Sequence, residues 1–399
     1  MNKISKIIVL IMGALVFSVA LMAIFKICPP KGPWPTPPWC SIQEANSSFN
    51  YSKLPYIEDD SSKGLKNNFM FGMGMMDLWG NLCTSPFTCE DPMDYMDQSF
   101  KRLNQLHTDL VMVTDFYQID RNKNILEVSQ GGAQTISPED MKLLVDKAHE
   151  NDMKFMLMTN LYEKDNSREV LNFNNPSKQE VDNLFEEWKA KILDQAQKAD
   201  YDYMAINPRD INFFFGNEED NTYINNKLIE LIPEIRKSYS GDICLWGPPS
   251  WIKNFGTNYD CIIVDESINR IFTEDSEDLG TITNKWSEFL NRLNYNKPTF
   301  VLILMPSYEG ALTNGWIEPV GKDYGSKYTS DYKVQALVYE GFFRAAANLP
   351  EIDGVISYGY WWNDQVYPNT LDIFRNDLSH SIRDKDAESV FYKWANGLD

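Results

Sequence analysis

Short apolar runs alternate with longer amphipathic segments along most of the chain after Asn68. A short apolar run is typical of a strand buried on both faces, whereas apolar residues spaced i, i+3, i+4 and i+7 predict a helix with one buried face. The runs predict eight strands: Phe69 to Asp77, Leu110 to Tyr117, Lys154 to Tyr162, a stretch ending at Phe213 to Glu218, Ile243 to Gly247, Cys261 to Asp265, Thr299 to Met305 and Gly354 to Trp362.

Helices are predicted between these strands from their start signals and from their apolar stripes. Ser137-Pro138 is one start signal, and Ser177 with Glu180 is a capping box. The later helices carry three apolar stripes at helical spacing: Leu228, Leu231, Ile232 and Ile235; Trp286, Phe289, Leu290 and Leu293; and Val334, Leu337, Val338 and Phe342.

This alternation of strand and helix predicts parallel strands that close into a single (β/α)8 TIM barrel over residues 66–399. An open doubly wound sheet is the alternative fold. It normally carries a glycine-rich turn that binds a dinucleotide, but here Gly72 and Gly74 lie inside the first predicted strand. The barrel is therefore the preferred fold.

An uncharged segment, Ile7 to Phe25, precedes the barrel and is nearly long enough to cross a hydrocarbon layer of about 30 Å. It predicts a transmembrane anchor or a signal peptide over residues 1–27, because Ser18-Val19-Ala20 also reads as a cleavage site. Residues 28–65 form a Pro-rich and polar linker. Either alternative places the barrel outside the cytoplasm, anchored to the membrane or secreted.

The chain has six cysteines, an even number that fits disulfide bonds in an exported protein. Cys244 and Cys261 fall at matching heights on two neighbouring predicted strands, and buried free thiols are the alternative for this pair. The spacing favours three bonds: Cys28 with Cys40, Cys83 with Cys89, and Cys244 with Cys261.

Charge and histidine content exclude several classes of function. The net charge of -20 repels phosphate backbones, which argues against a nucleic-acid partner. The three histidines have no ligand-like spacing, so no metal site and no cofactor are expected. No obligate protein partner is evident, and catalysis would fall to carboxylates.

Polar and aromatic residues follow the predicted strands at their carboxyl ends, where TIM barrels place their reactive groups. Carboxylates, amides and aromatic rings together suit a sugar ligand. Trp79 and Trp246 could instead be core residues, and Asp115 and Tyr117 could instead bond to neighbouring strands. The candidate substrate-binding residues are Trp79, Asp115, Tyr117, Asn160, Asn217, Trp246, Tyr308, Trp361 and Trp362. The candidate catalytic carboxylates are Glu218 and Glu309, with Asp265 and Glu266 in reserve.

Asn217-Glu218 resembles the Asn-Glu pair of the clan A glycoside hydrolases. Residues 66 to 396 more narrowly resemble glycoside hydrolase family 113, the endo-β-mannanase type. The stretches that carry this resemblance are Ser137 to Tyr162, Tyr259 to Ser267, Ser307 to Ala311, Gly315 to Pro319, Asp331 to Ala336, Gly354 to Trp362 and Ser381 to Lys385. The resemblance implies that Glu218 is the general acid/base and that Asn217 binds the sugar 2-hydroxyl. A solvated charge at the start of the next helix is the alternative for Glu218.

One position departs from the family pattern. The family's nucleophilic Glu precedes the Ser of Ser-x-x-Gly-Ala by about five residues, which is Leu302 here. Glu309, a few residues further on, could supply the second carboxylate. The sequence therefore predicts an extracellular glycosidase that cleaves a β-linked polysaccharide or oligosaccharide, with mannan as the leading substrate. The alternative is a catalytically inactive barrel that binds carbohydrate at the cell surface.

Overall fold

The structure is a computed structural model. It describes residues 54, 57, 64–75, 96–120, 127–129, 138–163, 177–206, 218–253, 258–315, 328–360 and 378–397. Within these ranges, side chains are not described at 116–120, 127–129, 160–163, 218–221, 224–225 and 251. The predicted anchor or signal segment, most of the linker, and Cys28, Cys40, Cys83 and Cys89 lie outside the described residues.

The described strands are β1 (Met70–Met75), β2 (Leu110–Asp120), β3 (Glu127–Ser129), β4 (Lys154–Glu163), β5 (Tyr203–Ile206), β6 (Asp242–Gly247), β7 (Cys261–Asp265), β8 (Thr299–Ile303) and β9 (Gly354–Tyr360). The described helices are α1 (Met96–Gln105), α2 (Pro138–Glu150), α3 (Lys178–Ala199), α4 (Glu218–Arg236), α5 (Pro249–Ile252), α6 (Ile268–Ile271), α7 (Leu279–Leu290), α8 (Ala311–Asn314), α9 (Tyr332–Ala346) and α10 (Asp386–Ala395). None of them is long and apolar enough to cross a membrane.

Eight of the strands form a closed parallel barrel. Each pairs in parallel with its neighbours, and β1 pairs with both β9 and β2, which closes the sheet. The remaining strand, β3, pairs antiparallel with the end of β2 and was not predicted. The predicted (β/α)8 barrel is therefore confirmed, and the open doubly wound sheet is wrong.

The fourth strand of the barrel lies earlier in the chain than predicted. It is β5, Tyr203–Ile206, which pairs with β4 on one side and β6 on the other. The predicted location, Phe213 to Glu218, lies outside the described residues except for Glu218, which is the first residue of α4. Both segments are short and apolar, and a short apolar run does not by itself distinguish a strand from a neighbouring loop.

The helices pack as their sequences predict. Ser177 Oγ accepts a hydrogen bond from the Glu180 backbone N–H at 3.3 Å, and the Glu180 carboxylate accepts from the Ser177 N–H at 2.7 Å. This reciprocal pair is the predicted capping box of α3. The three later apolar stripes, on and immediately after α4, α7 and α9, are all buried.

The barrel interior is filled by apolar side chains from alternate positions of the strands. Cys244 on β6 and Cys261 on β7 belong to this interior and are paired in register. Their Cα atoms lie 4.4 Å apart and their sulfurs form a disulfide bond. The predicted bond is confirmed, and buried free thiols at these positions are wrong. The interior cluster is Leu110, Met112, Met156, Met158, Tyr203, Ala205, Cys244, Trp246, Cys261, Ile263, Phe300, Leu302 and Ile356.

A repeated aspartate fixes the amino-terminal end of every second barrel strand. Each of four aspartates immediately precedes a strand and accepts a hydrogen bond from a backbone N–H of the strand before it. The pairs are Asp109 with Phe71, Asp202 with Phe155, Asp260 with Ile243, and Asp353 with Thr299, at 2.8–2.9 Å. Since these backbone donors lie at strand edges near the barrel floor, the four carboxylates satisfy groups that burial would otherwise leave unpaired.

Replacing Asp353 tests this device. Asp353→Ala leaves the N–H of buried Thr299 without its acceptor and removes the ion pair with Lys66, so we expect a loss of about 1–3 kcal/mol in the free energy of unfolding. Urea titration at pH 7 measures it. Glu351→Ala is the control, because Glu351 is exposed two residues away and should change stability by less than about 0.5 kcal/mol. Equal losses in the two variants would contradict the role of Asp353.

Candidate active site

The carboxyl ends of the strands form the barrel mouth, defined here by the inward-facing residues Thr114, Trp246, Asp265, Leu304 and Tyr358. Because side chains alternate along a strand, each of the five shares a face with members of the interior cluster on its own strand or directly before it. Leu304 and Tyr358 pack on that cluster and remain partly exposed. The interior below the mouth is filled by apolar side chains, and Leu304 and Tyr358 are the members of the mouth that are partly exposed.

Tyr358 occupies space that a glycine leaves open. A Cβ atom on Gly74 would lie 2.8 Å from Cδ2 of Tyr358 and 2.9 Å from Cε of Met112. The Tyr358 hydroxyl on β9 lies 3.4 Å from Thr114 Oγ1 on β2, so the two side chains meet across β1, the strand between them. Gly74 therefore lets an aromatic ring with a hydroxyl enter the mouth.

Trp246 was predicted as either a sugar platform or a core residue. It is 7% exposed and belongs to the interior cluster, which favours the core assignment for most of its ring. Its indole Nε1–H is buried and has no hydrogen-bond acceptor among the described residues. An unpaired buried donor costs free energy unless a ligand or water accepts from it.

Asp265 is the last residue of β7 and follows Cys261 and Ile263 on the inward face. It is 7% exposed. Its register partner on β8 is Leu302, which is 2% exposed and packed in the interior cluster. The position that the family resemblance assigns to a nucleophile is therefore apolar here, and a carboxylate stands beside it on the neighbouring strand.

Three predicted site residues are not among the inward-facing residues that define the mouth. Asp115 is fully buried on the face of β2 that carries Val113, opposite to the interior, which argues against contact with a sugar. Tyr308 is fully buried and donates a 2.6 Å hydrogen bond to the Gly315 carbonyl, so it holds its own loop together. Glu309 has an exposed side chain, and its backbone N–H donates to the Thr329 carbonyl at 2.9 Å.

The other predicted site residues are only partly described or not described. The backbone positions of Tyr117 and Asn160 lie in β2 and β4, and Glu218 begins α4. Trp79, Asn217, Trp361 and Trp362 lie outside the described residues.

Thr114, Leu304 and Tyr358 were missed from the sequence, although alternation could have identified them. Tyr358 has the same parity as Gly354 and Ile356, which face inward. At the next step the pattern breaks, because Gly359 has φ 94° and the pairing with β1 shifts after Gly74. Tyr360 therefore leaves the interior face, and its hydroxyl donates to Glu388 of α10.

Several residues that carry the family resemblance meet beneath the loop after β8. Lys385 Nζ donates to Ser307 Oγ at 3.0 Å and to the Ser379 carbonyl at 2.9 Å. Gln335 Nε2 donates to the Met305 carbonyl at 2.7 Å. These buried bonds fix the loop that follows β8 at the edge of the mouth. Among the described side chains, no group of three or more His, Cys, Asp or Glu residues could hold a metal ion.

Comparison with known proteins identifies the fold through structure and not through sequence. No family model matches the sequence, and no curated protein matches it. Among solved structures, a β-1,4-mannanase of glycoside hydrolase family 113 matches with a TM-score of 0.58 and 17% identity, over 82% of this chain and 98% of that chain.

Two further structures match in the same way. The family 113 β-mannanase AaManA from Alicyclobacillus acidocaldarius, in complex with ManMIm, gives a TM-score of 0.55 at 16% identity over 86% of this chain and 100% of that chain. A variant of a glycoside hydrolase family 5, subfamily 18 protein from Streptomyces cattleya, in complex with Manβ1-4GlcNAc, gives 0.52 at 13% identity over 82% and 80%. The resemblance to clan A glycoside hydrolases is confirmed at the level of the fold.

Proposed function

We propose that this protein is a glycoside hydrolase that cleaves a β-linked polysaccharide or oligosaccharide at the barrel mouth, with β-1,4-mannan as the leading substrate. The supporting observation is the set of inward-facing polar side chains there, Thr114, Asp265 and Tyr358. The fold shared with family 113 mannanases supports the choice of mannan.

Glu218 is the proposed general acid/base of this reaction. It begins α4, so it follows β5 at the end of a strand-to-helix connection, and these connections form the catalytic face of the fold. To protonate the leaving oxygen, the Glu218 carboxyl must keep its proton near neutral pH, so its pKa has to be raised. Burial or a nearby carboxylate has this effect. Asn217 is proposed to bind the sugar 2-hydroxyl, and Trp79, Trp361 and Trp362 to supply aromatic contacts.

A second function, carbohydrate binding without cleavage, is supported by Leu302. An apolar side chain packed in the interior cannot act as a nucleophile, so a barrel with no substitute carboxylate would bind sugar and leave it intact. The mouth would then serve as a carbohydrate-binding groove at the cell surface.

We also propose an exported location, with residues 7–25 as a membrane anchor or cleaved signal. The disulfide bond between Cys244 and Cys261 supports it, since such bonds persist in oxidising compartments.

Assays on the full-length protein in detergent test the proposal. We expect reducing ends to accumulate from β-1,4-mannan faster than from β-glucan or xylan, because a mouth selective for mannose discriminates against the other sugars in the transition state. Calorimetry with mannohexaose is run in parallel. Binding without reducing ends would support the second function, and the absence of both signals would refute both functions.

A further inference from the structure

Asp265 differs from the other described carboxylates because its position on β7 faces the interior of the barrel. On β7, Cys261 and Ile263 face the interior, and alternation places Asp265 on the same side, one step closer to the mouth. Among the described side chains it is the only carboxylate on an inward position at the carboxyl end of a barrel strand. It is also 93% buried, as its 7% exposure shows.

The register brings Asp265 beside the site of the family's missing carboxylate. Asp265 and Leu302 are partners across the parallel ladder of β7 and β8. Neighbouring strands lie about 4.8 Å apart, so a carboxylate moved from Leu302 to Asp265 shifts sideways by one strand. Such a shift keeps an acidic oxygen within the mouth.

Two other carboxylates near the mouth, Glu309 and Glu266, are less suited to act as the nucleophile. Glu309 has an exposed side chain, and its backbone is tied to Thr329 in the loop beyond β8. Glu266 follows Asp265 on the opposite parity, and its Oε1 accepts from the Ser267 N–H at 3.2 Å and from Arg270 at 3.4 Å. The Glu266 carboxylate is therefore bonded within its own loop and helix, and the Glu309 side chain faces solvent.

We infer that Asp265 is the nucleophilic carboxylate of this barrel, an inference that rests on the proposed hydrolase function. An Asp265 carboxylate oxygen attacks the anomeric carbon, the bond from this carbon to the glycosidic oxygen breaks, and Glu218 gives its proton to that oxygen. Water then attacks the same carbon, its proton passes to Glu218, and the Asp265 carboxylate is released. One glycosidic bond and one water molecule yield two free sugar ends with retained configuration.

Mechanism-based labelling of the unmodified protein tests this directly. The full-length protein is incubated with 2-deoxy-2-fluoro-β-mannosyl fluoride, digested and sequenced by mass spectrometry. We expect the sugar on Asp265. A label on Glu309 or on any other carboxylate would overturn the assignment while leaving a retaining hydrolase in place.

Substitution of Asp265 is the second test of the inference. Asp265→Asn is expected to lower kcat on mannohexaose by about 10³-fold or more, since removing a nucleophile abolishes the covalent route. Asp265→Ala with added azide should form an α-glycosyl azide from an aryl β-mannoside, because the small anion fills the space of the lost carboxylate. Glu288→Gln, an exposed change on α7, is the control for general effects on folding and activity.

The outcomes separate this inference from the proposed function. Activity of Asp265→Asn within tenfold of the unmodified protein would overturn the role of Asp265 and leave the hydrolase function standing. Absence of turnover by the unmodified protein on every β-linked substrate would overturn both.

Discussion

Glu218→Gln is expected to lower kcat/KM on manno-oligosaccharides by about 10²- to 10⁴-fold, which is the usual contribution of a positioned general acid. The amide has nearly the shape of the acid but carries no proton that it can give to the leaving oxygen. Reducing-end assays on mannan, β-glucan and xylan measure the loss. Undiminished hydrolysis would remove Glu218 from the mechanism.

A substrate that needs no acid gives the sharper measurement. A dinitrophenyl leaving group departs without protonation, so Glu218→Gln should form the glycosyl-enzyme from such a substrate at a rate close to that of the unmodified protein. A burst of dinitrophenol followed by slow turnover would show it, because the second step still lacks its base.

Glu219→Gln is the matched control for this experiment. Glu218 and Glu219 are the first two residues of α4, where a negative charge stabilises a helix by about 0.3–1 kcal/mol. If Glu218 served only as a helix-start charge, both variants would lose a similar small amount of stability and neither would lose activity. A catalytic Glu218 predicts a large loss of activity in one variant alone.

The barrel could be predicted because its local and global signals agree. Buried strands read as apolar runs, each helix carries one stripe, and the Ser177 capping box is where its sequence places it. The pairing of Cys244 with Cys261 followed from the same strand assignment. These features depend on a few neighbouring residues, so the sequence determines them locally.

The fourth strand was misplaced although a local signal marked it. Asp202 directly precedes β5 and accepts from the preceding strand, as Asp109, Asp260 and Asp353 do before their strands. Recognition of an aspartate before every second strand would have favoured Tyr203–Ile206. The apolar run that begins at Phe213 favoured the later segment instead.

The mouth was harder to predict than the fold because it depends on which way each side chain faces. Tyr308 and Tyr358 have equal aromatic character in sequence, but one is tied to Gly315 and the other reaches Thr114 in the mouth. The bulge at Gly359 reverses the face of Tyr360, and periodicity alone does not locate a bulge. The depth of a side chain in the barrel and the face it points to are set by pairing between strands that are distant in sequence.

Arg102→Met is expected to destabilise the protein by about 3–5 kcal/mol, since it leaves the carboxylate of Glu388 buried without its cationic partner. Arg102 Nε and Nη2 both donate to Glu388, at 2.9 and 2.5 Å, and Nη2 also donates to Asp384 at 2.7 Å. The Tyr360 hydroxyl donates to the same carboxylate at 2.5 Å. Arg102 and Glu388 are 5% and 2% exposed, so water replaces little of what is lost.

The protonation states make this network independent of pH near neutrality. Burial alone would lower the pKa of Arg102, but Tyr360 and Glu388 outweigh it and raise that pKa above its ordinary value. Burial, followed by the charge of Glu388, raises the pKa of Tyr360 well above its usual range. The guanidinium therefore remains charged and the phenol keeps its proton, so the loss in Arg102→Met should be equal at pH 6 and pH 9.

Guanidinium chloride unfolding of four variants separates the ion pair from the packing. The double variant Arg102→Met with Glu388→Leu should lose less than the sum of its single variants, because no charge is then left alone, although the Tyr360 hydroxyl still loses its acceptor. Lys101→Met, an exposed neighbour on α1, should change stability by less than about 1 kcal/mol. The network joins α1 to β9 and α10. Additive losses would mean that apolar packing, and not the ion pair, holds these three elements together.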